Sequence, residues 1–193
     1  MGIKSELAKV LGKDYVSDTR EDLVGYSQDH SLLPQGMPDA VVWPRNTQEV
    51  GKIVTWCNEK NIPIVPVSSK VHFHGSTIPK QGGIVVDLSK MNKILEIDKA
   101  NRLVRFEAGV TWKQLVAALA KKGMRVIMPL LPHGDRSVLT DTLEREVPTN
   151  TVYDYGEPMQ SIEVVWPIGE AFRCGSASVN GFPESKSRGA NPS

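Results

Sequence analysis

The chain has 193 residues, 40% of them apolar, with 23 Lys and Arg against 22 Asp and Glu for a formal net charge of +1, and two cysteines. That length holds one domain or two small lobes rather than two enzyme domains, and so balanced a charge gives no field to hold nucleic acid or an anionic membrane surface. No apolar run is long enough to span a membrane, and Met1 to Lys13 has no signal-peptide core, so the expectation is a cytoplasmic protein; Cys57 and Cys174 sit in no CxxC or Cys/His spacing and read as ordinary reduced thiols.

Leu7, Val10 and Leu11 recur at helical spacing and predict a short helix from Ser5 to Leu11. Asp14 to Pro38 has no sustained period and carries Gly25, Pro34, Gly36 and Pro38, so residues 1–38 read as a helix followed by an ordered crossing segment. Ala40-Val41-Val42-Trp43, stopped by Pro44, suits a buried strand. Asn46 or Thr47 can cap the next helix, in which Val50, Ile53, Val54 and Cys57 share a face to about Lys60. Ile62 to Val67 predicts a strand that Pro63 and Pro66 confine to an edge or to ladder ends. Strand, helix and strand make a βαβ unit, the first lobe of residues 39–81.

Residues 82–175 read as a hairpin-rich second lobe. Gly83 to Leu88 predicts a buried strand, and Ile94 to Asp98 with Leu103 to Glu107 alternates around Lys99-Ala100-Asn101-Arg102 as a hairpin. Thr111 caps a helix with Trp112, Leu115, Val116 and Leu119 on one face, and Lys121-Lys122-Gly123 closes it. From Pro129 to Pro148 there is little periodicity. Ser161 to Trp166 and Glu170 to Arg173, around Pro167-Ile168-Gly169, predict a second hairpin. Residues 176–193 have few apolar groups and no core-forming pattern. The fold class is therefore α+β, in two lobes.

Few residues announce chemistry by spacing alone. His72 and His74, two apart on an extended segment, can point the same way toward a metal, but no third ligand is near and the alternative is a loop with two solvated imidazoles; no metal is assigned. There is no Gly-x-Ser-x-Gly elbow, no dinucleotide-type Gly-x-Gly-x-x-Gly and no P-loop. Glu144-Arg145-Glu146 can serve acid/base work or can simply be a solvated charged run.

The order of several segments is more specific. Pro38-Asp39-Ala40-Val41-Val42-Trp43-Pro44, then Pro63-Ile64-Val65-Pro66-Val67, then Gly82 through Ile94, then Glu107-Ala108-Gly109-Val110-Thr111-Trp112, and finally Glu163-Val164-Val165-Trp166-Pro167-Ile168-Gly169-Glu170 with Arg173-Cys174-Gly175, resemble the FAD-binding domain of the vanillyl-alcohol oxidase superfamily, the PCMH-type FAD-linked oxidases. Leu143-Glu144-Arg145 and Tyr155-Gly156 are most similar to its aryl-alcohol branch. The likeness runs from about Asp39 to Gly175.

That resemblance implies two α+β subdomains with FAD between them, contacted at three places. The loop after the second strand comprises Val67, Ser68, Ser69, Lys70, Val71, His72 and Gly75; the second segment includes Pro132, His133, Ser137 and Thr140; the third is Glu163, Val164 and Val165 by the adenine end. Glycines suit such loops because amide N–H groups can then approach a diphosphate unobstructed. Only Gly75 survives in the first loop, β-branched Val71 resists positive φ, and in the second Thr140-Asp141 replaces a glycine, so the Asp141 carboxylate must point away from phosphate or meet Arg136. His72 falls where some relatives carry a histidine bonded to the flavin, so the resemblance implies FAD held non-covalently or through His72. The implied activity is hydride transfer from a 2-hydroxy acid or aryl alcohol to flavin N5. Substrate contacts are expected from a C-terminal domain or a second polypeptide, leaving this chain inactive alone. The rival reading is a flavin-free scaffold subunit with the same fold.

Overall fold

The computed structural model describes residues 2–129, 133–144 and 159–175. Three parallel strands organise the first lobe: β2 (Ala40–Val42), β3 (Ile64–Val67) and β4 (Ile84–Asp87). β4 lies between the other two, and a two-residue strand, β1 (Val16–Ser17), adds antiparallel to β2, giving the order β1-β2-β4-β3. Side chains alternate across this sheet with period two. Ala40, Val42, Ile84 and Val86 face one core with Leu7, Leu11, Ile53 and Cys57, while Val41, Val67 and Val85 face another with Tyr26.

The helices of the first core are α1 (Ile3–Leu11) and α3 (Thr47–Lys60). The Asn46 side chain accepts the Glu49 N–H at the start of α3, and Asn61 closes it at φ 55, a left-handed conformation that asparagine tolerates better than most residues. β3 occupies the sheet edge anticipated from Pro63 and Pro66, and the Pro63 carbonyl accepts the Ile84 N–H at 2.8 Å. The crossing segment is more ordered than its sequence indicates, containing β1 and the short helix α2 (Arg20–Val24), capped by Thr19. Elements of two and five residues are too short to leave a period in the sequence.

The sheet extends past the division expected at residues 81 and 82. An Ile-Val-Val run reads as buried strand in either lobe, and its parallel pairing with both β2 and β3 is what assigns β4 to the first. The second lobe pairs β5 (Ile94–Asp98) with β6 (Leu103–Phe106) as a hairpin and packs it on α4 (Trp112–Ala120), which begins with a Thr111–Gln114 capping box. Trp112, Leu115 and Leu119 are buried with Val110 and Val138, whereas Val116, expected on the same face, lies at the border of the stripe and is exposed. A further short helix, α5 (Val138–Leu143), falls where the sequence shows little periodicity.

The second hairpin, β7 (Ser161–Val165) with β8 (Ala171–Gly175), forms as expected but packs on α3 of the first lobe. Gly51 permits this contact, because a Cβ there would stand 2.5 Å from the Gly169 carbonyl oxygen. Thr47 Oγ1 donates to Glu163 Oε1 at 2.6 Å, and Thr55 Oγ1 donates to the Ile168 carbonyl at 3.4 Å. No described helix is long and apolar enough to cross a membrane.

Two measurements test this packing. Leu7→Ala empties a fully buried position between α1 and the sheet and is expected to cost about 2–5 kcal/mol, read as a lower urea midpoint. Cys57 is fully buried and its thiol is pushed up to about 11 by burial, whereas Cys174 is half-buried. A disulfide-exchange reagent is expected to modify Cys174 in the native protein and Cys57 only after denaturation; equal rates would contradict the packing.

Candidate functional site

In a parallel sheet the loops leaving the C-terminal strand ends form the customary ligand crevice. Here the loop after β3, residues 68–75, meets the start of α5 from the second lobe. Ser68 Oγ and Thr140 Oγ1 share a hydrogen bond of 2.5 Å, and Ser69 Oγ accepts the Ser137 N–H at 3.2 Å. Ser137 in turn donates its hydroxyl to the Ala108 carbonyl at 2.7 Å and caps α5. The loop therefore joins the two lobes.

Ser68, Ser69, Val71 and His72 are buried, whereas Lys70 is exposed. The difficulty that Val71 poses is avoided, since within residues 68–75 only Gly75 takes a positive φ, at 71°. The amide N–H groups of Ser69, Lys70, Val71, His72 and Phe73 donate to no acceptor among the described residues. Five successive amides of this loop are thus left without an acceptor among the described residues, and such unpaired backbone donors are suited to anions.

His72 is 5% exposed, and its Nε2 donates to the Ser69 carbonyl at 2.5 Å. A carbonyl only accepts, so Nε2 carries a proton, and Nδ1 is buried with no hydrogen-bond partner among the described residues. Burial holds this imidazole below its ordinary pKa, leaving it neutral at pH 7. His74 instead points its mostly exposed ring toward Glu144 at 3.5 Å. The two histidines make different contacts, and no cluster of three or more His, Cys, Asp or Glu able to hold a metal occurs among the described residues.

Asp141 meets Arg136, one of the two arrangements expected for it. Their ion pair is 2.7 Å long and almost fully buried, and Trp112 Nε1 donates to the other Asp141 oxygen at 2.5 Å. Arg136 also pairs with Glu144 and lies 4.9 Å from the Phe73 ring centroid. A buried guanidinium tolerates desolvation only when its charge is matched so closely. Glu144 is thus occupied by a structural ion pair; Arg145 and Glu146 lie outside the described residues.

On the first-lobe side, Asp87 ends β4 fully buried. Its Oδ2 accepts from the Tyr26 hydroxyl at 2.5 Å and Trp43 Nε1 at 3.1 Å, and its Oδ1 from the Ser89 N–H at 2.8 Å. Burial and then the Asp87 carboxylate drive the Tyr26 phenol far above its ordinary pKa. Lys70 places its ammonium 5.4 Å from the Tyr26 ring centroid. This cluster is absent from the sequence-based list, although a carboxylate closing a buried Ile-Val-Val run is itself a signal for it.

The other anticipated residues are more scattered. His133 is exposed and accepts the Asp135 N–H at 3.3 Å, and Pro132 lies outside the described residues, as do Tyr155, Gly156 and the tail 176–193. Glu163, Val164 and Val165 stand on β7 against α3, apart from the Ser68–Thr140 seam in their described hydrogen bonds. The Thr47 hydroxyl, and then Arg173 at 3.0 Å, hold the Glu163 carboxyl below its ordinary pKa despite opposing desolvation.

Comparison with known proteins agrees with this geometry. The family described as "FAD binding domain" matches residues 38–175. The glycolate oxidase subunit GlcD of Bacillus subtilis is 38% identical over 122 residues, covering 63% of this chain and 26% of that protein. The 4-cresol dehydrogenase [hydroxylating] flavoprotein subunit of Pseudomonas putida is 29% identical over 177 residues, covering 89% of this chain and 34% of that protein. Among solved structures, 4-ethylphenol oxidase from Gulosibacter chungangensis superposes with a TM-score of 0.80 at 26% identity, over 93% of this chain and 35% of that one. The chain therefore spans about a quarter to a third of the length of these proteins. With its two α+β lobes, the loop after β3 at their seam and a family match over residues 38–175, the chain belongs to the PCMH-type FAD-binding domain family of FAD-linked oxidoreductases.

Proposed function

We propose that the chain holds FAD at the seam between its lobes and is the flavin-binding part of an oxidoreductase acting on an alcohol-type substrate. The row of free amides at residues 69–73 carries this reading, because it fits a diphosphate without the glycines that the sequence lacks. Lys70 adds a solvent-facing ammonium, and Ser137 and Thr140 keep the second lobe beside the row. The Arg136 pairing removes the repulsion that Asp141 would otherwise exert.

When bound, the flavin supplies an acceptor for hydride at N5. The chain's own contribution is to bind it, match its phosphate charge and exclude water. Neutral His72, whose Nδ1 accepts no hydrogen bond among the described residues, is the residue the reading assigns to a covalent flavin bond if one forms, but its burial favours a non-covalent complex. The names of the relatives point to two substrate classes, 2-hydroxy acids for glycolate oxidase and phenolic alkyl groups for the cresol enzyme, and the reading embraces both. Substrate contacts are assigned to polypeptide outside this chain, in keeping with the fraction of each relative it spans, and the two free cysteines suit a cytoplasmic setting.

One observation favours the flavin-free scaffold instead. The Ser68 and Ser69 hydroxyls are already engaged by Thr140 and Ser137, so the loop is braced without a ligand.

Titration of the purified chain with FAD separates the two readings. Saturable quenching of flavin fluorescence, weakened several-fold by Lys70→Ala and by added salt, is expected; a colourless protein that takes up no flavin establishes the scaffold. Acid precipitation should leave the flavin in the supernatant, and colour in the pellet that His72→Ala abolishes would show a bond to His72. The isolated chain is expected to show no dye reduction with either substrate class.

A further inference from the structure

The segment between α2 and β2 fastens itself onto the loop after β3. Asp29 Oδ2 accepts the Gly75 N–H at 2.6 Å, and its Oδ1 accepts the Ser31 N–H at 2.8 Å. The His30 N–H donates to the His72 carbonyl at 2.9 Å, and the His30 ring lies 5.5 Å from Phe73 with the planes tilted by 51°. Leu33 closes the space beside Gly75, where a Cβ would collide with its Cδ1. Asp29, His30, Ser31 and Leu33 lie outside the expected cofactor contacts, and their segment carries no sequence period.

These contacts control where the free amides point. In a planar trans peptide the carbonyl of one residue and the N–H of the next project to opposite sides. With the His72 carbonyl held by His30, the Phe73 N–H is turned away from the N-terminal segment. With the Ser69 carbonyl held by the His72 ring, the Lys70 N–H is likewise turned outward. The charge-assisted bond from Gly75 to Asp29 anchors the end of the row at the one residue whose φ is positive.

We propose that Asp29 is a positioning residue for the dinucleotide: it clamps the N-terminal segment onto residues 72–75 and so holds the Phe73 N–H, at the end of the amide row of residues 69–73, turned away from that segment. A side chain from outside the loop thereby preorganises a backbone that lacks the usual glycines. Burial raises the Asp29 carboxyl, but the hydrogen bonds from Ser31 and Gly75 outweigh it and keep the pKa below its ordinary value, so the clamp is charged at neutral pH. The inference rests on the FAD-binding reading.

FAD titration of the wild-type chain, Asp29→Ala and Asp29→Asn, paired with amide hydrogen exchange at Gly75 in the flavin-free protein, tests it. Asp29→Ala is expected to weaken FAD binding about tenfold and to speed Gly75 exchange, with Asp29→Asn recovering part of both because its carbonyl still accepts. Wild-type affinity in Asp29→Ala, or unchanged Gly75 exchange, would overturn the proposal. If the wild-type chain takes up no FAD, the FAD-binding reading fails and the clamp is judged by exchange alone: faster Gly75 exchange in Asp29→Ala supports it and unchanged exchange overturns it. Should Asp29→Ala not fold, Asp29→Asn decides by the same two measurements, weaker binding with faster exchange supporting the clamp and wild-type values overturning it.

Discussion

The hydrogen bond from the Ser137 amide to the Ser69 hydroxyl, with its neighbour between Ser68 and Thr140, is the contact around which the molecule is arranged. It joins the end of a parallel strand in one lobe to the first turn of a helix in the other. Ser137 therefore has two tasks, capping α5 and tying the lobes together, and its hydroxyl is further committed to the Ala108 carbonyl. Each lobe has its own apolar core, so these short polar contacts, rather than burial, set how the two loops face each other.

Charge at the seam follows from the same demand. Asp141 puts a buried carboxylate beside the seam, and Arg136 answers it from within the same segment. The guanidinium is nearly as buried as its partner, so it draws in Glu144 and the Phe73 ring, while Trp112 satisfies the remaining carboxylate oxygen. Breaking one member would leave a buried charge exposed to a low dielectric, which makes the set cooperative. Asp87 plays a similar part at the end of the central strand β4, where Tyr26, Trp43 and Ser89 together supply the donors that a buried carboxylate requires.

The N-terminal segment thus becomes part of the site. Tyr26 reaches Asp87 and Lys70, and residues 29–33 meet residues 72–75, so a stretch without periodicity braces the loop after β3.

Most of the regular elements were legible in the residues themselves. Continuous apolar runs at Ala40–Val42 and Ile84–Asp87, the Asn46 and Thr111 caps, the prolines that send β3 to an edge, and the turn at Lys99 to Arg102 are local consequences of side-chain chemistry, and the ordered motifs identified the FAD-binding family. Strand order was not local: nothing in Ile-Val-Val says that β4 lies between β2 and β3, because a buried strand is apolar on both faces wherever it pairs. The contacts of Asp29 and Tyr26 were equally hidden, since each depends on a partner brought close by the chain's path and not on sequence spacing, whereas the Arg136–Asp141 pairing was one of two outcomes the local sequence left open. Residue type determined what each segment can become; only the folded arrangement decided which polar groups meet, because a hydrogen bond is specified by the position of both its ends.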